Sequence, residues 1–542
     1  MGEAACRPAA RRRARAARGL AFVLSSFLLA LAGVFGPNPL AAHVAKVNLP
    51  DLAASSPHIV VAVVENRESR WNAQHTLLFT QYTLRVEERL RGDAPDRVSI
   101  SVPGGALGNI SDETCVTVHL EPGATYLLFL GPLDEPSLTP VVGAWQGMFR
   151  EIPGVGAAAG ESRQPIVLDG RPVQFRDLVA AVRPLAAKAF VVARPAPPPA
   201  AHLPVKTWDP AARPLPEKFV YQELAQPPIV INPLLADSPF SPWDQAEMAY
   251  WNLYGGDVFR VSSPSPTWSY GNGVFDIGGF PGDAQLRTNF DVVWGDLPPG
   301  VLAFTMARRV DGAITEADIV FNPNKHWTLD ALEGTSQGGA FPFKDVVLHE
   351  LGHVWGLLHA WEYGPVSWDS IMNYRAKPYY ATELYADDTA AVRAAFPPGV
   401  ALRDGLISSY TTFYDDFRQL PEYTPVRPAV STVRAGKSFN LTGSIKIENP
   451  GTVPLTRPTV EVYLAPARLS FGGAVLVKRV VFAGTVKSGA TQQINLGKIT
   501  VPPATKAGTY FLAFFLRDPK DVYQDNNGAW STEDVTLTVT RR

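Results

Sequence analysis

The chain has 542 residues, with 49 Lys+Arg against 51 Asp+Glu for a formal net charge of -2, and only 2 Cys beside 44 Gly and 49 Pro. This length suits about three domains, and 46% hydrophobic residues can fill real cores, which excludes wholesale disorder. Balanced charge leaves no basic stripe for nucleic acid, and two cysteines exclude a multi-disulfide scaffold, a cysteine zinc finger and an iron–sulfur cluster.

Residues 1–18 carry six arginines and one acid, Glu3, and an apolar run from Leu20 to Phe35 follows with no charge until Lys46. This is the pattern of a secretory signal peptide over residues 1–42, with Gly36-Pro37-Asn38-Pro39 breaking the helix and Ala41-Ala42 offering small residues for cleavage. An uncleaved anchor is the other reading of so short an apolar run. Export follows from both, and no permanent membrane span is expected. Loss of the six arginines and Glu3 would move the net charge from -2 to -7 and leave Cys115 as the single thiol. Its setting, Thr114-Cys115-Val116-Thr117-Val118, alternates like a strand and predicts a buried core cysteine.

Residues 43–190 read as an N-terminal all-β module, a small barrel or sandwich. Apolar runs at His58 to Val64, Leu77 to Val86, Val98 to Val102, Cys115 to Leu120 and Tyr126 to Leu130 are separated by Gly- and Pro-containing turns. Whether it is a removable propeptide or an accessory domain stays open. Residues 191–217 form a Pro-rich linker around Pro195-Ala196-Pro197-Pro198-Pro199.

Residues 218–400 are mixed. A helix start is expected at Ser241-Pro242-Trp243-Asp244, strands at Asp291 to Trp294, Val301 to Ala307 and Ala317 to Phe321, and helices at Lys344 to Leu357 and Asp387 to Phe396. After a linker over 401–428, residues 429–542 return to short β runs at Gly443 to Glu448, Val460 to Leu464, Leu476 to Phe482, Thr509 to Leu516 and Val535 to Val539. This spacing predicts an immunoglobulin-like sandwich.

The chemistry is concentrated in His349-Glu350-Leu351-Gly352-His353-Val354-Trp355-Gly356-Leu357-Leu358-His359. On a helix His349 and His353 lie one turn apart on one face, so two imidazoles can converge on one ion. Glu350 is offset by one position and can act on water beside the metal without ligating it. Gly356 permits the backbone turn that would bring His359 back as third ligand, leaving the open fourth position typical of catalytic zinc. A structural role for the histidines is the competing reading, and a complete triad with its Glu is a costly coincidence for a scaffold.

These residues resemble the signature of the metzincin zinc peptidases, H-E-x-x-H-x-x-G-x-x-H followed by a Met-turn. The resemblance continues at Ser370-Ile371-Met372-Asn373-Tyr374, where Met372 would be the Met-turn methionine. Leu384-Tyr385-Ala386-Asp387-Asp388 and Val301-Leu302-Ala303-Phe304-Thr305 are similar to the matrixin branch (peptidase M10-type), in which the latter strand forms the cleft edge that pairs with an extended peptide. It implies a central α+β catalytic domain of mixed sheet, zinc helix and C-terminal helix. It also implies a Zn2+ cofactor held by His349, His353 and His359, with a zinc-bound water activated by Glu350 as general base. Tyr374 matches astacin- and serralysin-type Met-turns, where the tyrosine helps stabilise the oxyanion; a packed tyrosine is the alternative. Ala360 departs from the Ser or Thr usual in matrixins, and the Pro-Arg-Cys-Gly-type latency peptide is absent.

The C-terminal module resembles adhesion-type CARDB/Ig-like domains of secreted bacterial proteins. A surface or matrix ligand is expected for it, and Asp525-Asn526-Asn527 is either a structural Ca2+ site or a turn. The expected function is a secreted, extracellular zinc metalloendopeptidase acting on protein or peptide substrates. The rivals are a surface adhesion protein with an inactive metzincin scaffold and a zinc hydrolase of a non-peptide polymer.

Overall fold

The computed structural model describes residues 49–114, 118–134, 137–159, 166–168, 171–188, 229–232, 251, 259–261, 270–279, 281–290, 301–311, 313–329, 340–354, 357, 371–372, 384–386, 388–389, 401–414, 421–468, 470–521, 523, 527–531 and 535–541. The expected signal peptide, the Pro-rich linker, Cys115, and the elements expected at Ser241 and Asp291 to Trp294 lie outside these residues. Among the described residues no helix is long and apolar enough to cross a membrane.

The chain enters through helix α1 (Leu49–Ser55) and then lays down β1 (His58–Trp71), β2 (Leu78–Arg91), β3 (Arg97–Pro103), β4 (Gly105–Leu107), β5 (Ile110–Thr114), β6 (Thr125–Leu130), β7 (Met148–Ile152) and β8 (Gly156–Ala159). Six of these make one sheet in the order β3-β2-β1-β6-β7-β8. The unbroken apolar start of β1 is explained by burial on both faces. Val60, Ala62 and Val64 point into one core, while Ile59 and Val61 point into another that is closed by α1 and by α2 (Phe175–Ala186). In α2 the residues Phe175, Leu178, Val179 and Val182 fall on one face. Arg91 ties the two helices together, donating to the carbonyls of Ala53 and Ser56 beside α1 and of Leu185, Ala186 and Lys188 at the end of α2. The module is therefore a sheet carrying two helices, not the all-β unit expected. Pro184 in the last turn of α2 and the brevity of α1 hide both from a periodicity reading.

In the central region β9 (Ile229–Asn232), β10 (Phe259–Val261) and β11 (Phe275–Asp276) pair in parallel in the order β10-β9-β11. Helix α3 follows at Asp283–Phe290. Two longer strands, β12 (Ala303–Val310) and β13 (Ala313–Phe321), form an antiparallel hairpin. A parallel bridge from Ile277 to Ile319, with the Gly278 N–H on the Ile319 carbonyl at 2.7 Å, joins β11's end to β13. On its other side β12 pairs antiparallel with β5, so the order runs β13-β12-β5-β4 and the N-terminal hairpin is part of the central sheet. Helix α4 (Phe343–Val354) packs Val346, Val347, Leu351 and Val354 against Leu302, Ala303, Ile319 and Phe321. Of the helix expected from Asp387, Ala386, Asp388 and Thr389 are described and helical.

In the C-terminal region the two largest sheets of the described residues enclose one core, with short two-stranded pairings beside them. Thr432–Arg434, Thr536–Thr540, Gly508–Arg517, Thr459–Ala465 and Val475–Val481 follow one another in the larger, and Leu406–Ser408, Ile445–Glu448 and Thr491–Ile494 in the smaller. Ile407, Ile445 and Ile447 meet Val462, Leu512 and Phe514 between them. Leu406–Ser408 falls in the stretch read as a linker over 401–428; its Leu-Ile-Ser run is a strand that pairs with Ile445–Glu448.

Candidate metal and catalytic site

Helix α4 places three of the expected residues. His349 and His353 stand one turn apart and both are buried, His349 fully. Their rings lie 4.8 Å apart at 66°, and their Nε2 atoms approach to 3.0 Å. Each Nδ1 faces a carbonyl oxygen at 2.5 Å, that of Ile371 for His349 and that of Leu357 for His353. A carbonyl only accepts, so each Nδ1 carries a proton and each ring turns its Nε2 toward the other. Two Nε2 atoms so close sit together when a cation or a shared proton lies between them. Zinc–imidazole bonds of about 2.0–2.1 Å at a tetrahedral angle separate two nitrogens by about 3.3 Å. The observed spacing and the fixed tautomers therefore fit a zinc ion.

The second-layer carbonyls are set by local chain geometry. The Leu357 N–H bonds the Gly352 carbonyl at 3.1 Å, and this brings the Leu357 carbonyl to His353. The Ile371 carbonyl is positioned through its own N–H, which donates to the Asp388 carboxylate at 2.8 Å. Asp388 is buried, also accepts from the Tyr385 N–H at 2.9 Å, and so ties the turn at Ile371-Met372 to the start of the last central helix. Met372 is buried against α4: a Cβ at Gly352 would lie 2.3 Å from its sulfur.

Glu350 is fully buried on the side of α4 that meets β12. The Thr305 hydroxyl donates to its Oε2 at 2.6 Å and lies 3.1 Å from its backbone carbonyl. The strand thus fixes the carboxylate one residue away from the first imidazole. His359 and Tyr374 lie outside the described residues, as do Asp525 and Asn526; Asn527 is buried. Among the described residues no group of three His, Cys, Asp or Glu side chains is placed to hold a metal. Thr305, Gly352 and Asp388 were not singled out for these roles by the sequence. The only local signals were a Gly inside the His-Glu-x-x-His helix and an Asp near a helix start.

No curated protein matches the chain. Among solved structures there is a likeness to the Pseudomonas fluorescens alkylpurine DNA glycosylase AlkC bound to DNA containing an abasic site analog. It has 13% identity and a TM-score of 0.16, and covers 29% of this chain and 35% of that one. The chain thus spans about a third of that structure's length, and the likeness carries no assignment of fold or function. Residues 287–396, which hold β12, β13, α4 and the Met372 turn, match the family model of the matrixin peptidases, M10, and this part of the chain is a matrixin-like domain.

Proposed function

We propose that the chain is a secreted zinc metalloendopeptidase, in which His349, His353 and His359 hold the metal and Glu350 is the general base. The observation that carries this reading is the pair of Nε2 atoms 3.0 Å apart, both tautomers set by carbonyls, with a buried carboxylate at the next position of the same helix. Zinc, when bound there, supplies Lewis-acid polarisation of the scissile carbonyl and acidifies a coordinated water. Glu350 takes the proton from the attacking water and delivers it to the leaving amine, with Thr305 keeping one carboxylate oxygen in place. Tyr374 is assigned to stabilising the oxyanion.

Metal content and peptide hydrolysis measured on the same preparations test this. Glu350→Ala is expected to keep its zinc and lose hydrolysis by about a thousandfold or more, since both proton transfers depend on it. His359→Ala is expected to lose zinc and activity together. Normal turnover by Glu350→Ala would sink the mechanism. Chelator-sensitive release of products from polysaccharide but not from protein would favour the polymer hydrolase, and no release from either would favour the adhesion protein.

A further inference from the structure

A propeptide that comes away and a module that stays differ in the surface each shares with the catalytic region. A removable piece leaves behind a face that must meet water, so the contact is largely polar; a permanent one shares an apolar core, like a single domain cut in half. The N-terminal module is joined to the central region in the second way. Strand β5 continues the central sheet beside β12, in the antiparallel register Met306 to Thr114 through Val310 to Ile110. Beneath this ladder Phe304, Met306 and Val320 lie in one core cluster with Leu77, Tyr82 and Val102 of the N-terminal sheet, and none of the six is more than 1% exposed.

The charges at this seam are paired across it. Asp112 of β5, fully buried, takes both arms of the Arg308 guanidinium of β12 at 2.8 Å and the Tyr270 hydroxyl at 3.1 Å, while the Leu78 N–H holds it from its own side at 2.8 Å. Arg308 reaches further into the N-terminal module, donating to the Thr76 carbonyl at 2.5 Å and lying against the ring of Trp71. Arg309 pairs with Glu113 at 2.5 Å, and at the end of the ladder the Asp311 N–H donates to the Asn109 carbonyl at 2.9 Å. Separation would leave a buried carboxylate and its guanidinium without each other and bare apolar side chains on both pieces. The strand so held is also the one that carries Thr305, whose hydroxyl donates to the Glu350 carboxylate.

We infer that the N-terminal module is a permanent part of the catalytic unit, held to the central region through β5 and the core beneath it, so that cutting the Pro-rich segment leaves two pieces joined and frees no enzyme from a propeptide. The partner for this face of the central region is the chain's own N-terminal module, and it supports the strand from which Thr305 reaches the general base. The joining of the two pieces stands on the packing alone; only the words catalytic and general base rest on the peptidase reading above.

The test inserts a site-specific protease sequence into the Pro-rich segment 191–217 of the full chain, cuts it to completion, and passes the zinc-loaded product over a sizing column before and after dilution. The two pieces are expected to elute together at the volume of the uncut chain and to come apart only in denaturant that also unfolds the uncut chain. In the cut chain Asp112→Ala is expected to speed their separation by about a hundredfold or more, the scale of breaking a buried pair from one side. Asn109→Ala with Glu113→Ala leaves the buried cluster alone, serves where Asp112→Ala fails to fold, and is expected to speed separation severalfold. Pieces that part in native buffer, or that separate at the same rate in the variants as in the unaltered cut chain, overturn the inference. Peptide hydrolysis is read on the same samples and is expected to be unchanged by the cut. Hydrolysis that begins only once the N-terminal piece has gone overturns the inference in favour of a propeptide. Pieces that stay joined without zinc-dependent cleavage of any peptide leave the attachment standing and remove the peptidase reading alone.

Discussion

A Cβ placed on Gly352 would meet the Met372 sulfur at 2.3 Å and Leu357 Cδ1 at 3.1 Å, so the glycine between the two histidines is the space the methionine needs. Alanine is worth about 1 kcal/mol more than glycine inside a helix, yet overpacking a filled core costs about 1–3 kcal/mol. Gly352→Ala is therefore expected to lower stability and to weaken zinc binding by pushing the Ile371-Met372 turn, and with it the carbonyl on His349. Thermal melting and chelator competition check both, and an alanine variant of unchanged melting temperature and affinity would contradict the packing argument. Asp388→Ala removes the acceptor for the Ile371 N–H and is expected to cost about 10–100-fold in zinc affinity, the usual effect of losing an outer-shell partner. His349, Glu350 and His353 were legible because a helix makes the i, i+4 relation local. Asp388 was not, because the residue it holds lies 17 positions away across an irregular stretch.

At the scale of elements, sequence legibility followed the range of the pairing. Strands β3 and β6 and helix α4 announced themselves by apolar patterning, each within about three residues of its observed bounds, whereas the apolar runs marked only the starts of β1 and β2, which continue past Val64 to Trp71 and past Val86 to Arg91. Strand β5 did not announce itself: Ile110-Ser111-Asp112-Glu113-Thr114 puts two acids in succession where a sheet interior should be, and reads as a loop. Likewise β12 was expected to stop at Ala307, before Arg308-Arg309, but runs to Val310. Each set of charges is answered by the other, Arg308 by Asp112 and Arg309 by Glu113, across almost 200 residues of chain. Neither strand is intelligible without its partner. Because Asp112 is fully buried, its loss leaves Arg308 without its counter-charge. Breaking a buried pair from one side costs about 3–5 kcal/mol. Asp112→Ala is expected to destabilise the chain by that order, and Arg308→Met, which removes the same contact from the other side, should add little on top of it. A double-mutant cycle on denaturant unfolding measures the coupling; additive losses would mean the pair does not hold the hairpin.

The same interlocking recurs at the scale of the whole molecule, where the central region shares one core with the N-terminal sheet and a second with residues that lead into the C-terminal sandwich. Leu402 and Tyr523 pack into the core behind α4, the Ala386 N–H donates to Glu448 at 3.2 Å, and the Gly405 N–H donates to Asp521 at 2.9 Å. Asp521 and Asp404 face each other in this seam, and both are buried. Burial first, and the neighbouring Asp404 second, push the Asp521 carboxyl up to about 8, against the opposing pull of the N–H groups of Tyr523 and Gly405. A carboxyl raised in the folded state binds a proton that the unfolded chain, with its ordinary pKa of about 3.9, has already released. Stability contributed by that proton is present below about pH 4 and is lost as pH rises toward 8. The seam is thus expected to loosen on the alkaline side, with a melting temperature measurably lower at pH 8 than at pH 5. Asp521→Asn presents the same shape without the charge and is expected to flatten the slope, melting above the unaltered chain at pH 8. Melting curves at the two pH values decide the matter: an Asn variant with the original slope would place the pH dependence elsewhere than at the junction of the central domain and the sandwich.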